Sequence, residues 1–365
     1  MKKSIPFIIA VLSLTLIVTE GHAQEVSDNE FAHIQSGGTY TMLADIDNHV
    51  GDGEEVAISK DYYIARYAVT NQQWHSFISA RSITPPKHWA GGAIPEGKER
   101  HPVVWVSADE ALSYCQWLEE QYPDYTFRLP TQGEWEYAAS GDLRTLYPWG
   151  NQADASYTDS VLHTKFNYNA VVGAYILQTP DRMATYNNVN SSRYGEQERV
   201  GDIFSISGSG SVSGWINHSD YTGFVYTDVF TQINDTGGYT CAVDDYPEGA
   251  SPWGCYNMSG NCWEWTSTVE TATNGAEQGQ QVNMIKGGSW YATMTSCRVS
   301  YRGEGRKGSG RYATVGFRVV AEKKSSTGID TVSDNERPVV YSLEGYRLNA
   351  PRKGVNIIGH KLVKH

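Results

Sequence analysis

Two kinds of chemistry-capable donor are concentrated between Gly254 and Val320: oxygen donors in the run Asn257-Met258-Ser259-Gly260-Asn261-Cys262-Trp263-Glu264, and a hydroxyl and a thiol, Ser289 and Cys297, after the pair Gly287-Gly288. A turn with side-chain oxygens at both ends and carbonyls between suits a hard cation, which takes oxygen ligands in a flexible shell. The alternative is that Asn257 caps a turn and Glu264 pairs with an arginine. Ser289 lacks the Gly-x-Ser-x-Gly elbow of a hydrolase nucleophile. No Cys or His spacing supports zinc, and His33, His49, His75, His88, His101, His163 and His218 form no His-rich triad. Paired glycines indicate positive backbone angles or close chain approach. Trp263 and Trp265, two apart, share one side of an extended chain and face the core, with Glu264 on the other side.

These residues need a scaffold, and its helices are announced by one device. Thr70 with Gln73, Ser107 with Glu110 and Thr131 with Glu134 each place a capping hydroxyl three residues before a Glu or Gln. Apolar residues then recur at helical spacing: Trp74, Phe77 and Ile78 in the first helix, Ala111, Leu112, Cys115 and Leu118 in the second. Short alternating runs, Tyr62 to Val69 and Val282 to Lys286, read as strands. The expected class is α+β with much irregular backbone. A Ser-, Gly- and Tyr-rich insertion spans about 187–239, either a solvated loop or a ligand-facing one. After a polar linker, 322–337, alternation around Gly345 and Gly359 predicts two small β units in 338–365.

Lys2 and Lys3, the apolar run Ile5 to Val18 and the small-residue exit Gly21-His22-Ala23 have the layout of a secretory signal over 1–23. Export to the periplasm, cell surface or medium is expected, with no transmembrane segment after signal removal. A formal net charge of −12 disfavours nucleic acid, which is held by clustered Lys and Arg. Eleven Trp, 24 Tyr and 36 Gly describe a chain packed by aromatic plates and tight turns. Five cysteines permit at most two internal disulfides, whose pairing the sequence leaves open. Cys255 and Cys262 read as small hydrophobes, and Cys241, at the end of the insertion, is the freest to find a partner.

The ordered series Gly37-Gly38-Thr39-Tyr40, His101-Pro102-Val103-Val104-Trp105-Val106-Ser107, Arg128-Leu129-Pro130-Thr131, Glu134-Trp135-Glu136-Tyr137-Ala138, Tyr147-Pro148-Trp149-Gly150-Asn151, the 257–265 run, Gly287-Gly288-Ser289-Trp290, Cys297-Arg298, Tyr301-Arg302 and Gly316-Phe317-Arg318-Val319 closely resembles the formylglycine-generating enzyme family, the sulfatase-modifying factors. The resemblance covers about Phe31 to Ala321 and implies one domain over 24–321. Its fold would be the family's variant of the C-type lectin architecture. It also implies calcium held by Asn257 and Glu264 side chains with the Gly260 and Cys262 carbonyls. A second ion would lie at Asn167, the Tyr168 carbonyl, Asp235 and the Gly237 carbonyl.

Family enzymes hold copper(I) between two thiolates, because soft sulfur suits that ion. Here Ala292 stands at the first cysteine position and Cys297 at the second, Ser296 replaces an aromatic hydroxyl, and Thr293, Met294 and Thr295 offer no substitute. Cys297 therefore reads as buried or disulfide-bonded. A family bridge to Cys115 would need a thiol at Val319. The expected function is a non-catalytic binding or structural module at the envelope. Ser289, Trp290, Cys297, Arg298, Tyr301 and Arg302 would form its groove for a peptide or glycan, with envelope or secretion components as further partners. The alternative is a copper-dependent oxidase making formylglycine in sulfatases. The tail is similar to C-terminal sorting modules of exported Bacteroidetes proteins, which leaves sorting or a plain structural appendage.

Overall fold

A computed structural model describes residues 25–45, 53–151, 165–168, 236–272, 277–292, 294–302 and 305–324, and the backbone of six short strands elsewhere. The chain divides into two units after Glu322.

Each capping box forms, and each starts a helix. In α1, Asn71–Arg81, the Gln73 N–H donates to Thr70 Oγ1 (3.2 Å) while the Thr70 N–H donates to Gln73 Oε1 (2.9 Å). The same reciprocal bonds open α2, Ala108–Gln121, at Ser107 and Glu110, and α3, Gln132–Ser140, at Thr131 and Glu134. They satisfy donors that the first turn of any helix leaves without partners. α1 buries Trp74, Phe77 and Ile78 as its spacing predicts. In α2 the buried stripe is Ala111, Tyr114 and Cys115, whereas Leu112 is 42% exposed. One residue is a rotation of about 100° on a helix, which carries Leu112 away from a stripe centred on Ala111.

Tyr114 matters because it stacks on Trp74 (5.8 Å between centroids) and meets Phe317 edge-on (5.5 Å). This aromatic knot ties α1 and α2 to the Gly316-Phe317-Arg318 segment. Two four-stranded sheets hold the rest. One has the order β1 (Phe31–Ile34), β4 (Tyr62–Ala65), β12 (Val320–Lys323), β5 (Tyr125–Arg128). The strand expected over Tyr62 to Val69 is regular only to Ala65. Beyond it the Val69 N–H still reaches the Phe317 carbonyl at 2.9 Å. The second sheet has the order β10 (Gly305–Arg306), β9 (Gln281–Lys286), β8 (Trp263–Thr271), β11 (Val315–Gly316). A hairpin of β2 (Gly38–Thr41) and β3 (Glu55–Ile58) stands apart from both. The class is α+β, as expected.

Of the insertion, β6 (Ser205–Ile206) pairs with β7 (Val212–Ser213), and the chain is described again from Thr236. In the second unit the expected pair of β units is one antiparallel sheet: β14 (Arg347–Leu348), β13 (Val340–Tyr341), β15 (Val355–Ile358), β16 (Lys361–Lys364). The signal segment 1–23 and most of the linker lie outside the described residues. No helix among the described residues is long and apolar enough to cross a membrane.

Candidate functional site

The strand β8 sends Trp263 and Trp265 into the main core and Glu264 to its opposite face, as alternation requires. Glu264 is nonetheless buried, and its charge is matched locally. Arg318 Nε donates to Glu264 Oε2 at 2.6 Å and Arg318 Nη2 to Oε1 at 2.7 Å; Trp135 Nε1 adds a bond to Oε2 at 2.7 Å. Arg318 is itself fully buried, and it also donates to the carbonyls of Ala65, Arg66 and Tyr256. Burial alone would depress the guanidinium, but the Glu264 charge and hydrogen bonds outweigh it and raise Arg318 above its ordinary value. Glu264 is thus committed to an arginine, the alternative that the sequence left open, and its charge is already balanced.

Asn257 is placed differently. It adopts a positive φ of 52°, and its Nδ2 donates to the carbonyls of Val243 (3.0 Å) and Asp245 (3.4 Å). Its Oδ1 is buried without a hydrogen-bond partner, an oxygen that a cation or a water would satisfy. Of the second expected set, Asn167 donates through Nδ2 to the Tyr239 carbonyl (2.9 Å), and its own carbonyl accepts from the Asn261 N–H (2.8 Å). Tyr168 is buried, Gly237 packs against the His88 ring, and Asp235 lies outside the described residues. Gly260 packs so close that a Cβ there would sit 2.2 Å from the Asn167 carbonyl oxygen.

Gly288 and Cys297 meet for the same reason. Cys297 ends a 3-10 turn, Thr295–Cys297, and a Cβ on Gly288 would lie 2.4 Å from its Sγ. Ser259 Oγ donates to the Cys297 carbonyl (2.8 Å), fixing the turn. Burial pushes the Cys297 thiol up, and the N–H groups of Ser289 and Gly260 offset only part of that. All five cysteines are free. The two-thiolate copper(I) site does not fit these residues: Ala292 carries no donor atom, and Cys297 is a single protonated thiol without exposed surface.

The expected groove is therefore corrected in part. Ser289, Trp290 and Cys297 are each no more than 1% exposed and line no open groove. Arg298, Tyr301 and Arg302 keep partial exposure. Arg302 is anchored by its backbone N–H to Asp45 Oδ2 (2.6 Å) and by Nη2 to the Leu43 carbonyl (2.7 Å). Beneath it lies an ion pair that sequence reading did not single out. Lys286 Nζ is 3.2 Å from Glu136 Oε2, both side chains wholly buried, and it donates to the carbonyls of Val299 (2.6 Å) and Tyr301 (2.9 Å). The signal was present, since Lys286 shares the buried face of β9 with Val282 and Met284.

A second group missed in the sequence surrounds residues 236–240. Lys98 Nζ donates to the carbonyls of Gly238 and Thr240 (3.2 Å each) and lies 3.3 Å from His101 Nδ1. Burial pushes Lys98 down to about 8. The imidazole of His88, 2% exposed, faces Gly237 and has no partner at either nitrogen.

Residues 19–323 match a family described as the sulfatase-modifying factor enzyme 1-like domain. Over 348 residues the chain is 24% identical to the formylglycine-generating enzyme of Bos taurus, an alignment covering 80% of this chain and 74% of that protein. It is also 24% identical over 319 residues to the inactive C-alpha-formylglycine-generating enzyme 2 of Mus musculus, covering 75% and 77%. Among solved structures, PvdO from Pseudomonas aeruginosa is similar, with a TM-score of 0.50 at 18% identity over 83% of this chain and 100% of that one. At that identity the likeness speaks to fold alone.

Proposed function

Given that the chain belongs to the sulfatase-modifying-factor (formylglycine-generating enzyme) family, we propose that it is a non-catalytic member, an exported module on the family's variant of the C-type lectin fold that binds a peptide or glycan at the cell envelope or beyond. One observation carries the first part. The position of the family's reactive sulfur pair holds one thiol, Cys297, sealed beneath Gly288, and an alanine, Ala292. Relatives of comparable similarity include one named formylglycine-generating enzyme and one named inactive, so membership alone does not bring catalysis. Export rests on the 1–23 segment, and surface sorting on the likeness of the tail to such modules.

The test is direct. Incubated with copper, oxygen and a Cys-x-Pro-x-Arg peptide, the protein should leave the peptide mass unchanged. Appearance of the aldehyde product at a rate proportional to protein would reverse the reading in favour of the oxidase.

Calcium belongs to the same proposal. The support is the partnerless Asn257 Oδ1, with the Gly260 and Cys262 carbonyls as the family's remaining donors now that Arg318 holds Glu264, and Asn167, Tyr168, Asp235 and Gly237 as the second set. Either ion would be structural, and the second would bridge turns remote in sequence. A ligand that binds only the folded form at about a hundred times its dissociation constant adds about 2.7 kcal/mol. A chelator should then lower Tm by several degrees, and Asn257→Leu should abolish the difference. Superimposable melts with and without chelator would remove the ions.

A further inference from the structure

We propose that residues 236–240 form a strap, latched by Lys98, that closes over a subsite for a ligand hydroxyl built from the His88 imidazole and the Trp290 indole. The strap is tied down by side chains, not by a strand ladder. Lys98 Nζ holds the Gly238 and Thr240 carbonyls (3.2 Å each), His101 Nδ1 lies 3.0 Å from Thr240 Oγ1, and Asn167 Nδ2 donates to the Tyr239 carbonyl (2.9 Å). Two positive-φ glycines lay it flat on what it covers. A Cβ on Gly237 would sit 2.8 Å from His88 Nε2, and one on Gly238 would sit 2.4 Å from Trp290 Cζ2.

What lies beneath is polar and unspent. Both ring nitrogens of His88 and the indole nitrogens of Trp290 and Trp89 are buried with no hydrogen-bond partner. Buried polar groups in folded proteins are nearly always paired, and His88 Nε2 and Trp290 Nε1, which lie under consecutive residues of the strap, are both exceptions that call for a partner. A neutral imidazole offers one donor and one acceptor, and an indole offers a donor only. A hydroxyl both accepts and donates and so complements this set. A carboxylate finds less, because Lys98 already faces two carbonyls and His101. The rings of Trp89, packed edge-on to His88, and of Tyr239, packed edge-on to Trp290, border the same place. This deepens the binding-module reading and rests on it for the ligand class.

The experiment is labelling of the full chain with diethyl pyrocarbonate, read at His88 by peptide mass, with partly exposed His33 as internal reference. In the unaltered protein His88 should react far more slowly than His33. Lys98→Met, which keeps the stem and removes the ammonium, should speed labelling of His88 by about tenfold, together with amide exchange over 236–240. Gly238→Ala should do the same by a different route, since its methyl cannot fit the closed strap. Glycerol, the hydroxyl probe, should slow His88 labelling in Lys98→Met without slowing His33. Labelling of His88 that neither substitution changes overturns the strap. Faster labelling that glycerol leaves untouched overturns the subsite and leaves ordered water as its occupant. Failure of the intact protein to bind any peptide or glycan would sink the broader reading without altering these labelling rates.

Discussion

Replacing Arg318 by Met should lower the unfolding free energy by about 3–5 kcal/mol, the range for a buried ion pair that loses one partner. The reason is the charge left behind. Glu264 is 1% exposed, and with Arg318 gone it keeps only the Trp135 N–H, so a carboxylate would stay in the core without a counter-charge. The carbonyls of Ala65, Arg66 and Tyr256 would also lose the donors that the guanidinium supplies. Urea denaturation of Arg318→Met, Glu264→Gln and the double variant measures this. The double variant should recover part of the loss, because it removes the orphaned charge along with its partner. A loss below about 1 kcal/mol would mean that the pair is not the support described. Rescue of Arg318→Met by added calcium alone would return Glu264 to the role of cation ligand.

That pair also marks how far the sequence could be read. The capping boxes at Thr70, Ser107 and Thr131 were legible because donor and acceptor lie three residues apart, inside the helix they start. The face of Trp263 and Trp265 was legible because strand alternation is a property of neighbours. The partner of Glu264 lies 54 residues away and is brought to it by the parallel pairing of β11 with β8, which no local pattern encodes. Leu112 lies outside the buried stripe although its type is apolar, and Tyr114, an aromatic with a polar tip, lies within it, because helical angle and not residue type decides which face is covered. The tie from Lys98 to Gly238 spans 140 residues and crosses the insertion, so nothing in either segment announces it. At Gly287-Gly288 the signal was read correctly as close approach, but its consequence ran the other way. The approach brings Cys297 against the backbone, which closes the place where a groove was expected.

Gly288→Ala therefore tests the closed reading of that place, and it should cost roughly 3 kcal/mol, combining a left-handed backbone angle with overpacking. Gly288 has a φ of 75°, and the added methyl would meet the sulfur of Cys297 at 2.4 Å and its α-carbon at 2.9 Å. The first clash is with a side chain that can be shortened, the second with backbone that cannot. Adding Cys297→Ala to Gly288→Ala should thus restore only part of the stability, because the backbone clash and the backbone angle remain. Thiol labelling separates packing from an accessible site. In the unaltered protein Cys297 should react with a maleimide only as fast as the core opens, so its rate should track denaturant stability across variants. In Gly288→Ala the same thiol should react faster, by about tenfold for each 1.4 kcal/mol of stability lost. Rapid labelling of Cys297 in the native, unaltered protein would mean that the thiol is presented to solvent, and with it the reason for denying the family's sulfur chemistry to this chain would fall.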